Sequence, residues 1–128
     1  MKNIEKALNT IYCSVINDVR FDLPKKEILF CLTLVDNGET TYHTLKFINC
    51  RSFMWIEKPI SNHDLYDYRN CDYYELTEIS IKKINTNSDD EWLKQYPMEY
   101  NIAIEIWETA LLINATELLV DQKNFKLP

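Results

Sequence analysis

Two neighbouring stretches, residues 28–35 and 40–47, are rich in β-branched, aromatic and leucine residues and alternate between an apolar and a more polar side. This period of two is typical of β-strands. Between them stands Asp36-Asn37-Gly38-Glu39, which contains the only glycine of the chain. Asn and Gly tolerate the positive φ angles that a two-residue type I′ turn requires. The pattern therefore predicts that residues 27–57 form one antiparallel hairpin turned at Asn37-Gly38, with a bend or bulge near 49–52.

The position of the turn also predicts which residues face each other across the hairpin. On one face the predicted pairs are Leu34 with Thr41, Leu32 with His43, Phe30 with Leu45 and Ile28 with Phe47. On the other they are Val35 with Thr40, Thr33 with Tyr42, Cys31 with Thr44 and Leu29 with Lys46. The first face is mostly apolar, so we expect it to pack on the core and the second to be half-buried at best.

The remaining periodicities predict a mainly β chain. Helical spacing of apolar residues predicts a short helix over 2–13, and alternation predicts a strand over 14–23 with Val15 and Val19 on one side. Residues 73–84 are strand-like, and the capping-box spacing at 88–91 predicts a short helix that Pro97 ends.

The tail, residues 101–120, fits either two strands turned near 108–109 or one helix that is apolar nearly all round. Alternation of apolar residues favours two strands. We therefore predict one domain over residues 1–128, an antiparallel sandwich or barrel-like sheet of six or seven strands with one or two short helices.

Composition narrows the classes of function. The 20 acidic residues exceed the 14 basic ones, for a formal charge of −6, which argues against binding to a phosphate backbone. The first residues form no apolar signal region, and no apolar run is long enough for a membrane span, so we expect a cytoplasmic protein. The four cysteines contain no Cys-x-x-Cys pair and are expected to be free thiols.

Catalytic and metal-binding sets are hard to assemble from this sequence. It has two histidines, and no serine lies in a Gly-x-Ser-x-Gly context. His43 is interpreted as structural. Ligand-type side chains cluster only at His63, Asp64, Asp67, Cys71 and Asp72, whose spacing matches no known metal pattern. We therefore expect no enzyme, no metal and no cofactor.

The composition of segment 60–79 favours a role in recognition, because the segment carries five acidic residues against Arg69 and interleaves four tyrosines. Tyrosine is enriched at interfaces, and acidic charge steers a basic partner. The alternative interpretation is that the tyrosines cover a core while the acids face water. The predicted partner-binding residues are Asp64, Tyr66, Asp67, Tyr68, Asp72, Tyr73 and Glu75.

Three stretches carry a family resemblance: residues 47–55, residues 74–79, and Trp107 with residues 111–115. Over residues 28–120 the chain resembles the YxiG-like group of small Bacillus-type proteins, found among polymorphic-toxin immunity genes. The resemblance implies a compact β domain and an antitoxin that binds one secreted toxin, and it carries over no catalytic residue. The leading hypothesis is thus a protein-binding module of immunity type. The alternative is a small-ligand-binding β domain whose interior is lined by Phe30, Trp55 and Trp107.

Overall fold

The computed structural model describes residues 2–57, 73–84, 99–107 and 109–128. In chain order its elements are α1 (Lys2–Asn9), β1 (Val15–Asp22), β2 (Glu27–Asp36), β3 (Glu39–Ile48), β4 (Ser52–Glu57), β5 (Tyr74–Glu75), β6 (Glu78–Ile81), β7 (Ile102–Ile106), β8 (Thr109–Asn114), β9 (Glu117–Val120) and β10 (Lys123–Lys126). The strands form a six-stranded antiparallel sheet, β10-β9-β3-β2-β1-β5, and a four-stranded one, β4-β8-β7-β6. The mainly β antiparallel class is confirmed. The described residues contain ten strands, more than the six or seven expected, and they close no barrel.

The β2–β3 hairpin has the predicted turn and every predicted pair, from Ile28 opposite Phe47 to Val35 opposite Thr40. Asn37 and Gly38 both have positive φ, 52° and 80°. The alternation of the sequence appears directly as burial: the side chains that face inward from the two strands are buried from Ile28 to Leu32 and from Leu45 to Phe47. The turn chemistry therefore fixes both the register and the inner face.

The prediction of a single hairpin through residue 57 is wrong, because β3 ends at Ile48 and β4 belongs to the other sheet. Asn49 turns the chain with a φ of 55°. The backbone N–H of Cys50 then donates to the Lys26 carbonyl at 2.8 Å, and that of Arg51 to the Asn114 carbonyl at 2.7 Å. These bonds satisfy the backbone between the two sheets.

Strand β1 contains an irregularity that the alternation did not reveal. Its pairing shifts between Ile16, opposite Leu32, and Asp18, opposite Cys31, which leaves Asn17 as the extra residue of a β-bulge. Because the bulge adds one residue, the side chains that follow it switch to the opposite face of the strand. Ile16 and Val19 therefore both pack on the core, whereas Val15 pairs with Thr33 on the outer face. The expectation that Val15 and Val19 share a side is therefore wrong.

The tail forms two strands, β7 and β8, joined at a tight turn where Trp107 has a φ of 52°. Two further strands were not expected: β9 pairs with β3, and β10 pairs with β9. The strand-like stretch 73–84 splits between the sheets, with β5 beside β1 and β6 beside β7. Leu76, at the crossover, is buried, and its backbone bonds Cys13 and Ser14.

One apolar core is shared by both sheets and the N-terminal segment. Phe30 and Phe47 meet edge to face, with ring centroids 6.0 Å apart, and full burial of each such side chain is worth roughly 1.5–3 kcal/mol. Helix α1 contributes Ile4 and Leu8. It ends at Asn9, short of the predicted residue 13, because the next backbone N–H groups bond three residues back: that of Thr10 donates to the Ala7 carbonyl at 3.2 Å. The predicted helix near residues 88–96 lies outside the described residues.

No helix within the described ranges has the length and apolar character needed to cross a membrane.

Candidate binding surfaces

Five of the predicted partner-binding residues, Asp64, Tyr66, Asp67, Tyr68 and Asp72, lie outside the described residues, as do His63 and Cys71. The other two, Tyr73 and Glu75, lie at β5, the edge strand of the six-stranded sheet. In the part of the chain that the structure describes, no group of three or more His, Cys, Asp or Glu side chains is placed to hold a metal ion. The candidate site is therefore built outward from β5.

Strand β5 is short because it pairs with β1 only at the start of that strand: Tyr74 lies opposite Ile16, and Glu75 opposite Val15. The chain then crosses to the second sheet, where the Thr77 N–H donates to the Glu105 carbonyl at 2.9 Å. The Thr77 hydroxyl in turn accepts the backbone N–H of Trp107 at 3.0 Å. These bonds hold the β7–β8 turn next to β5.

Three aromatic rings meet at this place. The Tyr73 ring contacts Trp107 edge to face at 5.4 Å between centroids, and the tilted Tyr74 ring lies at 6.2 Å from Trp107. Tyr73 remains 50% exposed and Tyr74 58% exposed. We call the three rings, together with Glu75 and Glu78, the acidic aromatic corner.

The carboxylates act on groups around the corner. Partial loss of solvent, and then a hydrogen bond to Glu75, raise the pKa of the Cys13 thiol. Burial first, and then the charge of Glu78, raise the pKa of Tyr12, whose hydroxyl donates to the Ile79 carbonyl at 3.1 Å. Glu78 also lies directly opposite Glu105 across β6 and β7. Glu75 and Glu78 thus add to the effect of burial and make ionisation of Cys13 and Tyr12 less favourable.

Sequence reasoning selected Tyr73 and Glu75 but missed Trp107 as their neighbour. Trp107 was expected to line an interior with Phe30 and Trp55. That lining is wrong, because Phe30 is fully buried in the core, Trp55 is 54% exposed on the edge strand β4, and Trp107 contacts the tyrosines at and just before β5. The available signal was positional: Trp107 directly precedes the predicted turn at 108–109, where side chains reach the surface.

A second surface is the inter-sheet cleft, where the Phe21 ring from β1 stacks on the Phe53 ring from β4 at 5.0 Å between centroids. The cleft has a volume of about 230 Å³. Its walls are the apolar Phe21, Leu23, Ile28, Cys50 and Phe53, and its charged lining residues are Asp22, Lys26, Glu27 and Arg51. Both charge signs are present, so the cleft has no evident preference for a cation or an anion.

His43 takes part in a polar contact between strands. Its Nδ1 lies 3.0 Å from Asp121 Oδ2, and its Nε2 lies 2.9 Å from Thr41 Oγ1. Asp121 also accepts the Thr44 N–H at 3.0 Å and donates its own N–H to the Thr44 carbonyl at 2.9 Å. The order hydroxyl, imidazole, carboxylate is that of a hydrolase triad. The same contacts, however, fasten β3 to the β9–β10 turn, which is a structural role.

The fold and these surfaces define a mainly β protein of two antiparallel sheets that exposes aromatic side chains at an acidic corner and at a cleft. A family model described as YxiG-like protein matches residues 4–125, and the chain therefore belongs to the YxiG-like family. The match covers most of α1, nearly all of both sheets and both candidate surfaces. No curated protein matches the chain.

Proposed function

We propose that this chain is a non-enzymatic protein-binding module of immunity type, which acts in the cytoplasm by binding and neutralising a basic toxin. The observation that carries the proposal is the acidic aromatic corner, where two half-exposed tyrosines adjoin Trp107 in a segment that also contains Glu75 and Glu78. Tyrosine and tryptophan supply large contact areas at little cost in rotamer entropy, and they are enriched among the residues that dominate binding energy.

The charge of the chain favours the same class of partner. The formal net charge is −6, and part of the negative charge belongs to the same segment as the tyrosines, because Glu75 follows Tyr74 on β5 and Glu78 begins β6. Complementary charge speeds the encounter of two proteins and excludes wrong partners, while the aromatic contacts determine how long the complex lasts. A basic protein therefore fits this corner better than an acidic or neutral one.

A growth-rescue assay tests the proposal. Each protein encoded beside this gene is produced in bacteria with and without this chain, and growth is followed. We expect a basic neighbour to arrest growth and the chain to restore it by direct binding. Replacing both Tyr73 and Tyr74 with Ala should weaken that binding by about 30-fold or more, since a hot-spot residue contributes about 2 kcal/mol.

The matched control is Tyr42→Ala, because Tyr42 is 78% exposed on the outer side of the β2–β3 hairpin, away from the corner. It should leave rescue and affinity unchanged. The proposal fails if no neighbouring protein arrests growth, or if growth returns without binding.

The second candidate function is binding of a small ligand, and the inter-sheet cleft is the observation that favours it. Its volume of about 230 Å³ lies below the roughly 300–1,000 Å³ of typical ligand pockets, so only a small ligand fits. A thermal-shift screen of small amphipathic molecules checks this candidate. A ligand whose stabilising effect disappears in Phe53→Ala and persists in Tyr42→Ala would support it.

A further inference from the structure

We infer that the acidic aromatic corner is a receptor for an arginine side chain of a basic protein partner, with the guanidinium stacked on the exposed faces of Tyr73 and Tyr74. This inference rests on the proposed function and specifies its chemistry. It would assign to these two tyrosines a recognition role that differs from general apolar contact.

The geometry of the rings carries the first step. Tyr73 makes an interplanar angle of 69° with Trp107, and Tyr74 makes one of 40°. Trp107 therefore supports the two tyrosines at different inclinations, while half or more of each tyrosine remains in solvent. The face of an aromatic ring carries negative charge density, so rings that are held apart and exposed can accept a cation from outside.

The charges carry the second step. Glu75 lies on β5 beside the tyrosines, and Glu78 begins β6 three residues further on. Glu75 directly follows Tyr74 on β5, and the short crossover from β5 to β6 keeps Glu78 in the same segment. Two carboxylates in the segment that carries the rings would favour the approach of a cation. The inter-sheet cleft lacks this bias, because Lys26 and Arg51 offset Asp22 and Glu27 there.

The shape of the cation selects arginine. A guanidinium is planar, stacks on aromatic faces, and offers several N–H donors to a neighbouring carboxylate. A lysine ammonium is more strongly hydrated and lacks a plane. An arginine-rich peptide should consequently bind better than a lysine-rich one of equal charge, which a purely electrostatic surface would not require.

Peptide titration observed by NMR provides the test. Short peptides of consecutive arginines, lysines or neutral citrullines are added to the labelled whole chain, and the indole N–H signal of Trp107 is followed after assignment with Trp107→Phe. We expect the arginine peptide to shift this signal at the lowest concentration, the lysine peptide to bind more weakly, and the citrulline peptide to have no effect.

Ring variants separate stacking from charge. Tyr73→Leu and Tyr74→Leu keep apolar area but remove the ring face, and each should weaken arginine-peptide binding about two- to five-fold, the range for an exposed cation–π contact. Tyr42→Leu should have no effect, and melting curves check that all variants are folded. Glu75→Gln should weaken binding at low salt and lose most of that effect at high salt.

Equal binding of the arginine and citrulline peptides, or unchanged binding in both ring variants, would overturn the inference. So would a dimer that dissociates on Tyr73→Leu in sedimentation, because it would assign the corner to a second copy. Growth rescue without arginine-peptide binding would refute the arginine receptor alone. Arginine-selective binding without a rescued neighbour would refute the immunity role and retain the receptor.

Discussion

At the scale of single residues, Asn101 is a buried cross-link that no periodicity indicates. Its side-chain amide donates to the Ala115 carbonyl at 2.7 Å, and its oxygen accepts the Ala115 N–H at 3.1 Å. The amide also donates to the Pro128 carbonyl at 3.4 Å. The Asn101 side chain, just before β7, thus forms with Ala115, just after β8, the two hydrogen bonds that a neighbouring strand would otherwise form.

We predict that Asn101→Ala lowers the free energy of unfolding by about 2 kcal/mol or more, because it leaves a buried N–H and a buried carbonyl of Ala115 without partners. Urea denaturation measures the change. The control is Asn124→Ala on the exposed β10, which should stay within about 0.5 kcal/mol of the parent. Equal midpoints for the two variants would show that the amide bonds are dispensable.

Cys50 is the residue whose chemistry the fold changes most clearly. Burial raises the pKa of its thiol from 9.0 to about 11, despite an opposing backbone hydrogen bond, and the charge of Glu27 contributes further. At pH 8 the folded protein should therefore be alkylated at Cys50 about 100-fold more slowly than the urea-unfolded chain, since only the thiolate reacts. Peptide mapping after timed exposure to iodoacetamide measures both rates.

The raised pKa of Cys50 also predicts how stability depends on pH. Because the folded thiol holds its proton more tightly than the unfolded one, the contribution of this thiol to the free energy of unfolding is fully present below about pH 9. That contribution is lost as the pH rises through about 11. The parent should lose stability over this window relative to Cys50→Ala. Rapid alkylation of folded Cys50 at pH 8 would show that the thiol is not protected.

At the scale of elements, the local sequence was sufficient to predict strand pairing where the two paired strands follow each other in the chain. Asn37-Gly38 fixed the β2–β3 register, and the apolar alternation of the tail separated β7 from β8. The pairing of strands that are far apart in the chain could not be predicted from turn residues and alternation. Residues 28–57 have continuous strand character, yet a positive φ at Asn49 directs β4 to the other sheet.

Strands β9 and β10 could not be predicted from local turn residues either. Their reversal uses Asp121, with a φ of 53°, where the chain has no glycine to signal a turn. The candidate site was likewise predicted only in the part that depends on local sequence. Composition identified Tyr73 and Glu75, but Trp107 is held near them by the hydrogen bond between its backbone and Thr77, which joins segments far apart in the chain.

The hairpin turn gives a prediction about backbone conformation alone. A Cβ at Gly38 would meet nothing within 4 Å, so any cost of substitution comes from its φ of +80°. Gly38→Val should lower the free energy of unfolding by about 1 kcal/mol or more, because a β-branched residue is strained there. Gly38→Asn should cost less, since Asn tolerates positive φ. Indistinguishable melting of Gly38→Val and the parent would contradict the turn assignment.

At the scale of the whole molecule, the negative charge of the acidic aromatic corner is expected to lower stability while it favours recognition of a basic partner. Glu78 and Glu105 are directly opposed across β6 and β7, and like charges in this position destabilise a sheet. The same negative charge would attract a basic partner. Charge reversal at Glu78 should therefore separate the two properties.

The last prediction concerns how fast the partner binds. Against the partner identified by growth rescue, Glu75→Lys with Glu78→Lys should slow association and flatten its salt dependence, because exposed charges act mainly on the rate of encounter. Dissociation should change less than in Tyr73→Ala, which removes an aromatic contact. The melting temperature should be retained or raised, since the substitution at Glu78 replaces a repulsion of Glu105 with an attraction across the two strands. Surface-based kinetics with parallel melting curves measure all three. Asp36→Lys with Glu39→Lys, at the exposed end of the β2–β3 hairpin, is the control that changes the net charge by the same amount. If this control slows association as much as the corner variant does, attraction depends on the total charge of the chain, and the partner binds elsewhere on its surface.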